Sequence, residues 1–136
     1  MQKPIASLMA VGLLVLAACG TGGEVEPGPI TSCEDIAGTT YERQQGSPNF
    51  MHFFEDGTLH LSSNRDLVED RPLAIFETRF EGTTVFLKEI QGRCDDDLEA
   101  TYEIHLLENG NLELVAIEDT CALRSSSISV EYAPVP

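Results

Sequence analysis

From residue 39 onward, apolar and polar side chains alternate over short runs broken by glycine-containing turns. Tyr102, Ile104 and Leu106 alternate with Thr101, Glu103 and His105, and Leu112, Leu114 and Ala116 with Glu113, Val115 and Ile117. A period of two marks a strand with one buried face. Loop length then decides whether the two apolar sets meet. A two-residue Asn-Gly loop would put Leu106 opposite Glu113, whereas Glu108-Asn109-Gly110 puts it opposite Leu112. Because a one-residue slip turns every side chain over, the longer loop is predicted, with Gly110 in the left-handed position of a bulge. By the same logic Glu55-Asp56-Gly57 pairs Phe53 with Leu59 and Met51 with Leu61. Glu81-Gly82, read as a two-residue loop, pairs Phe80 with Thr83, Thr78 with Val85 and Phe76 with Leu87.

The remaining runs complete the set. Thr39 to Gln44 reads as a first strand, and Ser127 to Tyr132 as a last one, with Ile128, Val130 and Tyr132 on one side. Thr31-Ser32-Cys33-Glu34 begins with a capping-box pattern that opens one helical turn, ended by Gly38. Ser63 to Pro72 is a polar connection without a period. Short strands joined to their sequence neighbours predict an all-β domain over residues 31–136. Its expected form is an eight-stranded antiparallel up-and-down meander barrel with a short N-terminal helical turn. The inward set is Met51, Phe53, Leu59, Leu61, Phe76, Thr78, Phe80, Val85, Leu87, Tyr102, Ile104, Leu106, Leu112, Leu114 and Ala116. A barrel of this size is filled by its own side chains or holds one small ligand. The candidates to line such a ligand are Met51, Phe53, Leu59, Leu61, Phe76, Phe80, Tyr102, Ile104, Leu106 and Leu114.

The front of the chain concerns address rather than fold. Lys3 precedes an apolar run from Ile5 to Ala18, too short for a stable span but suited to an export signal. The run closes on Leu16-Ala17-Ala18-Cys19, which resembles a bacterial lipobox. That resemblance implies a signal peptide over residues 1–18 and a lipid-bearing Cys19 as mature N-terminus. The protein would then be anchored to a bacterial membrane in the cell envelope, its domain outside the cytoplasm. Residues 19–30, rich in glycine and proline, read as a flexible tether.

Four further segments carry a family likeness. They are Gly38-Thr39-Thr40-Tyr41, Phe54-Glu55-Asp56-Gly57-Thr58-Leu59, the hairpin from Tyr102 to Leu112, and Glu118-Asp119-Thr120-Cys121-Ala122-Leu123-Arg124. Together they resemble small bacterial lipocalin-like domains of the calycin type, over roughly residues 38–132. The resemblance implies a lipocalin-like barrel, since the matching motifs are turn and core signals that specify fold better than function. It also marks Arg124, expected to pair with an acid and close one end of the barrel.

Export permits disulfides. With Cys19 lipidated, Cys33, Cys94 and Cys121 remain. The hairpin register brings Cys94 near Cys121, so these two are paired, which stabilises the fold by about 3 kcal/mol in the chain-entropy model. Cys33 is either a buried free thiol or a competitor for Cys121, and nothing basic nearby activates it.

Composition narrows the partners. The formal charge is −15, one unit more negative once Lys3 is cleaved away. Such a chain is unsuited to nucleic acid, whose binding needs Lys and Arg against phosphate. It is suited to a cationic protein. The acidic run Asp95-Asp96-Asp97 with Glu99 matches no calcium loop and reads as solvated. His52 and His60 fall directly opposite each other on the outer face, about 5 Å apart at Cβ. Two ligands fall short of the three or four that zinc takes, so they are expected to be a solvent-exposed pair, and no metal or cofactor is expected. His105 lies beside Glu103 on the same outer side. Phe50 and Phe54 flank His52 and are expected to be covered by the turn around Cys33 and Ile36. No nucleophile elbow, zinc-protease helix or phosphate loop is present, so no catalytic residue is assigned. Two readings remain, both of a monomer. One is a binder of a small apolar ligand. The other is a solid-cored envelope protein acting through its acidic surface as a protein-binding or inhibitor module. Small barrel lipoproteins that inhibit lysozyme look similar in size, acidity and single disulfide.

Overall fold

The structure is a computed structural model that describes residues 28–94 and 98–136. The expected signal peptide, the expected lipidation of Cys19, most of the expected tether and the run Asp95–Asp97 lie outside the described residues. Eight antiparallel strands close into an up-and-down barrel, each paired with its sequence neighbour. They are β1 (Thr40–Arg43), β2 (Phe50–Phe53), β3 (Thr58–Ser62), β4 (Ala74–Glu81), β5 (Thr84–Gln91), β6 (Glu99–Leu106), β7 (Leu112–Glu118) and β8 (Glu131–Pro134). Closure comes from β8, which pairs with both β7 and β1 and leaves no exposed edge.

Two of the three tight hairpins have the predicted register. Phe53 faces Leu59, Met51 faces Leu61, Leu106 faces Leu112 and Ile104 faces Leu114. The β4–β5 hairpin differs. Glu81 pairs with Thr84, Phe80 with Val85 and Thr78 with Leu87, so the loop is Gly82-Thr83 rather than Glu81-Gly82. A two-residue hairpin loop favours glycine in its first position at positive φ, and Gly82 has φ +60° there. The two-residue shift keeps every side chain on its expected face. It also sets Glu89 opposite Phe76, with its side chain buried.

The last predicted strand is a correction as well. Residues Ala122–Ile128 form a helix, α1, and β8 begins at Glu131. Arg124 and Ile128, four apart, are its buried residues. Of the residues predicted to share one side of that strand, Ile128 is buried from the helix and Tyr132 from β8, while Val130 between them is partly buried. At the N-terminus, a 3-10 turn spans Cys33–Asp35. Its start is organised by Asp35 rather than Glu34, since that carboxylate accepts from the backbone N–H of Thr31 (2.9 Å) and Ser32 (3.2 Å).

The barrel axis is filled. Met51, Phe53, Leu59, Phe76, Val85, Leu87, Tyr102, Ile104, Leu112, Leu114 and Tyr132 are all essentially inaccessible to solvent. Burying a single side chain of this kind is worth about 1.5–3 kcal/mol. The two ends differ. At one, the short hairpin loops meet Ile30, Cys33 and Ile36, which join the core as a plug. At the other lie the long connections, α1, and a disulfide between Cys94 and Cys121. Among the described residues Cys33 is the free cysteine, and it is buried.

Candidate functional site

The open end holds a cavity of about 410 Å³, within the roughly 300–1,000 Å³ usual for small-molecule sites. Its floor is Leu61 and Phe76, where β3 and β4 leave the core. Its walls are Arg43 to Asn49 between β1 and β2, the start of the 63–73 connection, the segment Glu89 to Cys94, and α1. Leu73 and Leu123 stand on the rim, 59% and 60% exposed.

The polar groups around it are held in place. Arg124 grips Asp119 through Nε (2.9 Å) and Nη2 (2.8 Å) and donates from Nη1 to the carbonyl of Leu98 (3.1 Å). The Tyr102 hydroxyl donates to the same carboxylate. Burial pushes Asp119 toward the neutral acid, but hydrogen bonds from Arg124, Tyr102 and the Cys121 N–H outweigh it and hold the carboxyl below its usual range. Burial likewise disfavours the Arg124 charge, and Asp119 more than restores it. Arg124 therefore has its expected acidic partner, and the pair ties β7 to α1.

Glu89 accepts from the Cys94 N–H at 2.7 Å, which fixes the chain at the disulfide. Asn49 donates to the carbonyl of Ser127 (3.2 Å) and to the Tyr132 hydroxyl (3.1 Å). Burial pushes the Tyr132 phenol up to about 12, so it stays neutral and donates to Ser127. Arg43 donates from Nη2 to the carbonyl of Ser126 at 2.8 Å, while its Nε is buried with no hydrogen-bond partner.

Of the apolar residues expected to line a ligand, Leu61 and Phe76 do so. Met51, Phe53, Leu59, Tyr102, Ile104, Leu106 and Leu114 are spent on the filled core, and Phe80 packs against it, partly buried. Sequence reading missed the polar lining of Arg43, Asn49 and Glu89. A signal existed. Arg43 shares strand parity with Tyr41, Asn49 with Met51, and Glu89 with Leu87, so each continues an inward series beyond the last apolar residue.

The outer-face pair is not solvent-exposed. His52 does face His60, but the 63–73 connection lies over both, with Val68 buried beneath it. His60 Nδ1 donates to the carbonyls of Val68 (3.0 Å) and Glu69 (3.1 Å). His52 Nε2 meets the Glu69 carboxylate at 3.3 Å, and Nδ1 accepts from the Thr40 hydroxyl at 2.8 Å. Phe54 sits between the two imidazoles, with centroids at 4.6 and 4.4 Å. The cover thus comes from the connection, while Cys33 and Ile36 plug the closed end instead. Among the described residues no three His, Cys, Asp or Glu side chains are grouped to hold a metal. His105 lies 3.9 Å from Glu103, on the outside as expected.

Fold and mouth together define a small closed up-and-down β-barrel with one plugged end and one open end. Comparison of the chain with protein-family models, with curated proteins and with solved structures finds no match.

Proposed function

We propose that this protein is a non-enzymatic, lipid-anchored cell-envelope protein whose lipocalin-like barrel holds a small ligand at its open end. The observation that carries the reading is the cavity of about 410 Å³, with an apolar floor and fixed polar groups on its walls. Such a combination of apolar surface with a few convergent polar groups suits small-molecule binding. The filled core below limits the ligand to the mouth. The lipobox-like Leu16-Ala17-Ala18-Cys19 supports the address, with Cys19 acylated and the domain outside the cytoplasm.

Native mass spectrometry of the protein purified from its own host tests this. Retained mass of a small molecule is expected, and its loss on mutating Leu61 to Arg. A bare mass at every collision energy would count against a resident ligand. The second reading, a surface-acting inhibitor or docking module, draws on the filled axis and the −15 charge. It requires the bare mass together with capture of a cationic protein.

A further inference from the structure

Three of the chain's eight lysines and arginines, Arg43, Arg93 and Arg124, line the mouth cavity. In a protein of net charge −15 this concentration is what the mouth offers a ligand. The three are not equivalent. Arg124 is fully engaged by Asp119 and Leu98. Arg93 is exposed at the edge. Arg43 reaches the Ser126 carbonyl with one nitrogen, and its buried Nε is without an acceptor. A buried donor left unpaired is costly, and most in folded proteins find a partner. Glu89, a carboxylate lining the cavity, already accepts from the Cys94 N–H.

We propose that the mouth selects a small amphipathic monoanion, with its carboxylate bound by Arg43 and Arg93 and its compact apolar body laid on Leu61 and Phe76. This rests on the reading of the mouth as a ligand site and adds the charge of the ligand. Arg43 Nη1 makes no hydrogen bond among the described residues, so with Arg93 it offers a carboxylate donors from two guanidinium groups, a geometry suited to such bonds. The low-dielectric floor strengthens the contact beyond what an exposed pair achieves.

The test is an NMR titration of the full chain, carrying Cys19→Ser to keep detergent out, with three probes that differ only at the polar end. These are 3-phenylpropanoate, 3-phenylpropanol and 3-phenylpropylamine. The carboxylate is expected to bind about ten- to a hundredfold tighter than the alcohol, the worth of a charge-assisted hydrogen bond, and to shift amides of residues 43–49 and 123–127. Arg43→Gln or Arg93→Gln should reduce that preference several-fold while the alcohol is unaffected. Should Arg43→Gln disturb α1 through Ser126, Arg93→Gln alone decides. Equal binding of acid and alcohol would overturn the anion assignment and leave the mouth as an apolar site. Preference for the amine would also overturn it, by showing that Glu89 sets the local field. Binding of none would overturn both readings.

Discussion

The two ends of the barrel are built on different principles. At the plugged end, three short loops turn the chain in the fewest residues, and Gly57, Gly82 and Gly110 supply positive φ. The plug is apolar, and Cys33 is its polar exception, held to the Thr78 hydroxyl at 2.8 Å. Burial raises that thiol, which keeps it protonated. At the open end the connections are long, and their order comes from charged and polar side chains buried among one another and from one covalent link. Local backbone geometry secures the first end, and tertiary partnership secures the second. Substitutions should therefore act locally and mildly at one end, and severely at the other.

The largest effect is expected from Arg124→Ala. It leaves the buried Asp119 carboxylate without its counter-charge, which typically costs about 3–5 kcal/mol, measured by urea denaturation. Replacing both partners by apolar residues should recover part of the loss, since the uncompensated charge is gone. A cost below 1 kcal/mol would mean that the pair is ornamental. Next comes removal of the disulfide by Cys94→Ser with Cys121→Ser. For a sequence separation of 27 the chain-entropy model gives about 3.5 kcal/mol. Hydrogen exchange should quicken at residues 89–94 and in α1, and stay unchanged in the loops at 55–57 and 82–83. Uniform quickening would erase the distinction between the ends.

What could be read in advance follows the same division. The hairpins of the plugged end are local, and their glycines and apolar pairs constrain one another, so strand order and inward faces were legible. The misplaced loop at Glu81-Gly82 cost two residues of register and no change of face. At the open end the determinants are distant in sequence. The family likeness led to an acid being expected beside Arg124 without saying which, and α1 could not be seen. Arg124 and Ile128 fit a helix as well as Ile128, Val130 and Tyr132 fit a strand. The cover over His52 and His60 was illegible for a related reason. The 63–73 connection has no period, and its hold on the barrel wall depends on Glu69 and on backbone carbonyls.

A matched pair of glycine substitutions sharpens the comparison. Gly82→Ala adds a methyl group into open space, so only the backbone resists, at about 1 kcal/mol. Gly92→Ala drives its Cβ into the Glu89 carboxyl, so the buried carboxylate must move and release the Cys94 N–H. An unpaired buried group costs about 1–3 kcal/mol, so Gly92→Ala should be the more damaging by thermal unfolding. The opposite ranking would contradict the account of both ends.

The smallest effect concerns the wall between the ends, where the 63–73 connection crosses from the mouth on to His52. Burial pushes the His52 imidazole below its ordinary 6.5, Glu69 pulls it back up, and His60 adds to the lowering. The folded state thus favours neutral His52. Above the unfolded value both states are neutral and nothing is lost. As pH falls through 6.5 and on through the folded value, the unfolded chain takes up the proton first, so stability declines. This window lies above the carboxylate range, which isolates the histidine from Asp119. His52→Gln should flatten the decline between pH 7.5 and 5 in urea midpoints. Glu69→Gln should steepen it, because the field that favoured the imidazolium is removed while the burial remains. If Glu69→Gln instead flattened the profile, the charge of Glu69 rather than burial would be governing His52. The connection would then be held to the wall by an ion pair, and acid would tighten it.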